Sequence, residues 1–196
     1  MFILGSKSPR RKALLKEAGL KFEVISGDFD EAINEPDPKK LVENLSYYKA
    51  QEISENNPDR WVLGADTVVY IDGTILEKPE NKDYAREMIS KLSGNKHTVL
   101  TGYTIYSPKR HITKSVETSV YFKDLTKDEI EWYISTEEPY DKAGGYAIQG
   151  LGTFMIKGIE GSYSNVVGLP VSSVIESLIS FKVVKREIGK ENYSSY

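Results

Sequence analysis

The spacing of apolar residues changes period along this chain, and each change marks an expected element. Phe2-Ile3-Leu4 is a short apolar run and reads as a buried strand. Leu14, Leu15 and Ala18 then fall on one helical face. Ser8 stands ahead of them as an N-cap, Pro9 takes the first helical position, and Gly19 is the stop of a helix expected over 11–18. "KFEVIS" (21–26) alternates at strand spacing. Residues 37–53 return to helical spacing, with Leu41, Leu45, Tyr48 and Ile53 on or near one face. "WVLGADTVVYI" (61–71) reads as a strand broken at Gly64-Ala65-Asp66, followed by an Asp72-Gly73 hairpin turn. A helix is expected over about 82–92, ending at Gly94.

Two long β-rich runs follow, 96–107 and 111–123, joined through Ser107-Pro108-Lys109-Arg110. Thr126-Lys127-Asp128-Glu129 has the form of a capping box, opening a short helix that holds Trp132 and Tyr133. Residues 141–168 are rich in glycine, so the backbone there must turn tightly or approach something closely. A last helix is expected near Pro170. No Pro/Ser-rich linker divides the chain. These elements predict one α/β unit over 1–185 with a mixed sheet, bent into two lobes around a cleft. Residues 186–196 read as a polar tail.

Composition narrows the chemistry. The chain has 196 residues, 39% hydrophobic and 28% charged, which is the make-up of a soluble globular protein. With no cysteine, thiolate catalysis and zinc–cysteine sites are excluded, and His97 and His111 are too few for a His-rich metal centre. Both histidines read as structural, and Trp61, Trp132 and Tyr133 as core or interface. A net charge of -3 argues against a general nucleic-acid binder. Neither a spanning apolar run nor a signal-peptide pattern opens the chain, so no membrane contact and a cytoplasmic location are expected.

Against that background, some charges stand out. Arg10 and Arg11 lie in the first turn of the first helix, where the dipole is positive and cations are unfavourable. An anion seated there removes the conflict. Ser6, Ser8 and the two guanidinium groups would then form a phosphate loop, although a capped surface helix with solvated arginines is the plainer alternative. The spacing matches neither a Walker loop nor a dinucleotide fingerprint. Asp66 sits inside an apolar strand, either bonded to nearby N–H groups at a bulge or paired for chemistry. Glu31, Lys49 and Lys78 are isolated charges that mean little alone. Gln149, between tight turns, carries an amide able to read a base edge.

Taken in order, Ser-x-Ser-Pro-Arg-Arg, "GADTVV", "EKP", "KLSG" followed by "HTVLTGY", "EPYDKAGGYAIQGLG" and "GSYSNVVGLP" resemble the Maf family of nucleoside triphosphate pyrophosphatases, from residue 2 to about 181. The resemblance implies an elongated mixed sheet with flanking helices, two lobes around a central cleft, similar to the inosine triphosphate pyrophosphatase fold. It implies hydrolysis of a nucleoside triphosphate to the monophosphate and pyrophosphate. Ser6 and Arg10, with Arg11 nearby, match the family's phosphate loop; Glu31, Lys49 and Lys78 match its polar cleft residues, and Asp66 its proton acceptor. A divalent cation held by Glu31 and Asp66 is expected, Mg²⁺ first, with Mn²⁺ or Co²⁺ as substitutes, in a homodimer. Thr67 and Gln149, together with Arg10, look like the subclass that cleaves dTTP and UTP rather than 7-methyl-GTP. Lys7 stands where the loop often has Gly, and Gly145 replaces a common Ala. The family's link to arrest of cell division offers a second reading, a nucleotide-sensing regulator. The intact Asp66, Lys49 and Lys78 set and the acidic balance favour the enzyme.

Overall fold

The fold is that of a computed structural model, which describes residues 1–29 and 33–185. Strand β1 (Phe2–Gly5) leads to helix α1 (Pro9–Glu17), strand β2 (Phe22–Val24) and the long helix α2 (Pro38–Glu55). Then come β3 (Val62–Ile71), β4 (Thr74–Leu76), α3 (Lys82–Leu92), β5 (Lys96–Ser107), β6 (Arg110–Phe122) and α4 (Lys127–Ile134). Three short 3-10 turns precede β7 (Ile156–Glu160), α5 (Tyr163–Val167) and α6 (Val171–Ser180). The glycine-rich stretch, expected only to turn, thus also supplies a strand and a one-turn helix. The seven strands form one mixed sheet ordered β2-β1-β3-β5-β6-β7, with β4 also paired to β3. β2, β1 and β3 run parallel, and the remaining pairs are antiparallel. This is the expected mixed α/β architecture.

Local chemistry explains the ends of several elements. Ser8 caps α1, accepting from the Arg11 N–H, and Gly19 follows the helix at φ 72°, a conformation open to glycine. Thr126 and Glu129 complete the capping box that starts α4. Asp72 and Gly73, at φ 47° and 78°, make the tight hairpin between β3 and β4.

Side-chain alternation along β3 divides the core. Leu63, Ala65, Thr67, Val69 and Ile71 point to one face, and Val62, Gly64, Asp66, Val68 and Tyr70 to the other. The first face carries two separate cores. One gathers Phe2, Leu4, Leu15, Leu63, Tyr103 and Leu178. The other gathers Val69, Ile89, Val99, Phe122, Tyr133 and Met155. Between them runs a polar belt. Thr67 meets Thr101 at 2.9 Å, the Thr101 hydroxyl donates to the Asn165 carbonyl, and the Asn165 amide donates to Thr118 at 3.0 Å. The two cores on one sheet are the physical counterpart of the two expected lobes.

The opposite face is covered by α2, and it comes very close. A Cβ on Gly64 would lie 2.4 Å from the Ser46 carbonyl oxygen, and one on Gly102 would lie 2.2 Å from that of Val42. β3 therefore runs unbroken for 10 residues, contrary to the break expected at Gly64-Ala65-Asp66. The glycine is needed for the helix crossing, not for a change in strand direction.

Candidate active site

β1 accompanies β3 only as far as Gly64, and β4 begins beside it only at Val69. From Ala65 to Val68 this edge of β3 has no neighbouring strand among the described residues. A cleft of about 1010 Å³ opens there, at the carboxyl end of the parallel strand β1. Gaps of this kind at strand ends are common ligand positions in α/β sheets.

Ser6, Arg10, Arg11, Lys49, Asp66, Thr67, Lys78 and Gln149 all line this cleft. Eight of the nine expected site residues are thus brought together from distant parts of the chain. The ninth, Glu31, lies outside the described residues.

Asp66 projects from β3 toward α2 and is 8% exposed. Its Oδ1 accepts from the Lys49 ammonium at 2.6 Å, with both side chains largely buried. Lys49 does not lie on a solvated side of its helix; it is the partner that makes a buried carboxylate tolerable. With Oδ1 held, the second oxygen of this cleft-lining carboxylate takes no hydrogen bond from a described residue, which leaves it to accept a proton or take a cation.

On the other face of β3 the arginines divide the work. Arg11 turns inward: its Nε donates to the Gly168 carbonyl at 2.8 Å and Nη1 to the Ala65 carbonyl at 2.9 Å. Its Nη1 also donates to Ser6 Oγ at 3.2 Å, and Nη2 to Thr67 Oγ1 at 3.0 Å. One guanidinium thereby ties the start of α1, the bare edge of β3 and the turn after α5. Bonds to two backbone carbonyls and two hydroxyls offset the cost of placing this cation at a helix N-terminus. Thr67, expected as a mark of the dTTP/UTP subclass, has its hydroxyl engaged by Arg11 and Thr101.

Arg10 points across the cleft to Asp141, with an N–O separation of 3.7 Å. Asp141 also accepts from Lys142. Burial works against its charge, yet the Lys142 hydrogen bond and the nearby Arg10 hold its carboxyl below the usual range. Lys7 pairs with Asp28 at 2.9 Å on the exposed rim. Lys78 is exposed and makes no ion pair with a described residue, and Gln149 is exposed at the cleft mouth.

His97 and Tyr146 support the floor. The His97 Nε2 and the Tyr146 hydroxyl are 2.6 Å apart in a buried pair, and burial lowers the imidazole to about 4. The exposed His111 stacks on Tyr106 and meets Tyr47 edge-on. Trp132 remains 51% exposed, whereas Tyr133 is fully buried.

Sequence reasoning missed Asp141, Lys142 and Glu52 as cleft residues. Glu52 sits one turn after Lys49, a spacing that shares a helix face and was the available signal. Its Oε1 accepts from the Asp28 N–H at 3.2 Å.

The family model described as "Maf-like protein" matches residues 1–181. A dTTP/UTP pyrophosphatase of Syntrophus aciditrophicus is 51% identical over 179 residues, 90% of this chain and 87% of the relative. One of Thermosipho africanus is 50% identical over 190 residues, covering 97% of this chain and 98% of the relative. Among solved structures, a nucleoside-triphosphatase/dITP/XTP pyrophosphatase of Mycobacterium abscessus aligns at TM-score 0.46 and 11% identity. That alignment spans 93% of this chain and 95% of the other. With the family model matched from residue 1 to 181 and full-length relatives at half identity, the chain belongs to the Maf family.

Proposed function

We propose that this chain is a nucleoside triphosphate pyrophosphatase that hydrolyses dTTP and UTP to the monophosphate and pyrophosphate. The observation that carries the reading is the Asp66–Lys49 pair at the bare edge of β3, 2.6 Å apart, in a cleft also lined by Arg10 and Lys78. Such a site offers one carboxylate for a proton and several cations for phosphate oxygens. The dTTP/UTP pyrophosphatase name of relatives 43–51% identical supports the substrate class.

The reaction adds water across the anhydride between the α- and β-phosphates. Asp66, through the oxygen not held by Lys49, orients the water and accepts its proton as the new P–O bond forms. The anhydride P–O bond breaks and its electrons leave with pyrophosphate. Lys49, besides holding Asp66, faces the same charge, while Arg10 and Lys78 neutralise the phosphate chain. Asp141 holds Arg10 only loosely, so a phosphate can replace it. Arg11 acts at one remove, keeping Ser6, Thr67 and the edge of β3 in place.

A divalent cation fits these residues if it is shared with the substrate. No group of three or more acids or histidines able to hold an ion occurs among the described residues, but Asp66 presents an unclaimed hard oxygen. Mg²⁺ keeps several waters and takes phosphate oxygens readily, and Glu31 is the second protein ligand in this proposal. When bound, the ion neutralises phosphate charge and polarises the anhydride.

Gln149 supplies base selectivity. Its carbonyl accepts from N3–H of uracil or thymine and its amide donates to an adjacent carbonyl, a pairing that cytosine meets with the wrong polarity. The family resemblance also supports a cytoplasmic homodimer, tested by sizing with light scattering. No helix among the described residues is long and apolar enough to cross a membrane.

A substrate panel with pyrophosphate detection tests the reading. dTTP and UTP are expected to be cleaved well, CTP poorly and purine triphosphates little. Preference for 7-methyl-GTP would overturn the subclass, and inertness toward every triphosphate would overturn the activity.

A further inference from the structure

The loop that carries Gln149 is wrapped around a single carboxylate. Glu138 lies in the 3-10 turn Glu138–Asp141, outside the cleft lining. Its Oε1 accepts from the Gly152 N–H at 2.7 Å and from the Tyr133 hydroxyl at 3.1 Å, and its Oε2 accepts from the Leu151 N–H at 2.9 Å. Tyr133 is fully buried, so its hydroxyl has no water to turn to.

The backbone is shaped to this carboxylate. Gly150 has φ +88°, and a Cβ there would lie 2.5 Å from Glu138 Oε2. A Cβ on Gly152 would lie 2.5 Å from the Ala147 carbonyl oxygen. Only glycine allows both approaches. On the far side of the loop the Thr153 hydroxyl donates to the Ile148 carbonyl at 2.7 Å. Gln149 therefore stands between two pinned neighbours, with its own amide exposed and unbonded to described residues. The backbone is held while the side chain is left for a ligand.

We propose that Glu138 is a positioning residue for base selectivity, acting on the nucleotide only through Gln149; the inference rests on the proposed role of Gln149. A carboxylate is needed because three donors converge on it from two directions. A glutamine has one oxygen and must abandon either the Leu151 N–H or the Gly152 and Tyr133 pair. The loop would then sample positions in which Gln149 no longer meets the base edge, and UTP would lose its advantage over CTP.

The test is a cycle of Glu138→Gln, Gln149→Leu and the double variant in the full chain. kcat/KM is measured for UTP and CTP, and amide hydrogen exchange is followed for a peptide spanning 147–153. Glu138→Gln is expected to lower the UTP-over-CTP preference about tenfold, chiefly through KM for UTP, and to speed exchange in that peptide. The double variant should show no lower preference than Gln149→Leu alone. Tyr133→Phe, which removes one donor, should move both readouts the same way by less, and it decides the matter if Glu138→Gln fails to fold. An unchanged preference in Glu138→Gln beside a lost one in Gln149→Leu overturns the inference alone, as do effects that multiply in the double variant. An unchanged preference in Gln149→Leu overturns the base reading itself, and the inference with it.

Discussion

Replacing each of the two adjacent arginines by alanine should separate substrate binding from architecture. Arg11→Ala deletes four hydrogen bonds to described residues, two of them to the Gly168 and Ala65 carbonyls, the first of which also accepts from the Thr67 hydroxyl at 3.3 Å. Bonds from a charged donor contribute about 1.5–3 kcal/mol each, but these acceptors line an open cleft and water can replace part of the loss. A net cost of about 2–3 kcal/mol is expected. For a chain of this size, that lowers Tm by about 5–10 °C. Arg10→Ala deletes only a partly exposed 3.7 Å pair with Asp141. Such pairs contribute about 0–1 kcal/mol, and losing a cation from a helix N-terminus offsets that. Tm of the apo protein should stay level or rise slightly, while KM for UTP rises. Thermal melts of both variants, paired with steady-state kinetics on UTP, provide the assay. An Arg11→Ala protein as stable as wild type would refute the tie assigned to Arg11. Destabilisation by Arg10→Ala with catalysis untouched would refute the phosphate arm.

Other outcomes follow from the same geometry. Asp66→Asn should keep the fold by circular dichroism and retain nucleotide binding while turnover falls about 10²–10⁴-fold, because an amide cannot take the proton; near-normal turnover would make Asp66 structural. Gly64→Ala should cost about 2–3 kcal/mol in urea unfolding and depress turnover as well, since α2 must lift from β3 and carry Lys49 away; a neutral variant would contradict the close crossing. His97 binds its proton less readily in the fold, at about 4 against an ordinary 6.5. Its contribution is complete above pH 6.5 and declines as pH falls toward 4, reaching about 3 kcal/mol. His97→Gln should flatten the fall in Tm across that window, and an unchanged slope would place the acid sensitivity elsewhere.

What the sequence disclosed was mostly local. Ser8, Pro9 and Gly19 bracket α1 through bonds within a few residues, and the Asp72-Gly73 turn and Thr126 capping box are equally self-contained. Asp66 was visible because an acid among apolar strand residues needs a reason. Its partner was not visible, because Lys49 reaches it only through the crossing of α2 over Gly64 and Gly102, set by pairs far apart in the chain. The same cause misled the reading of Gly64 as a break. The tie made by Arg11 was invisible because its acceptors, Ala65 and Gly168, are 54 and 157 residues away. Glu138 gave no signal at all, since the amides it holds lie 13 and 14 residues on, across a run of turns.

The most direct test of the central claim is the position of the bond that breaks. UTP incubated with the purified chain and Mg²⁺ can be followed by phosphorus NMR, which resolves each phosphate. UMP and pyrophosphate appearing together in equal amounts, with the signal lost in Asp66→Asn, is the result predicted here. UDP and inorganic phosphate would contradict it, because cleavage at the terminal phosphate leaves the α–β anhydride, the bond assigned to Asp66, intact.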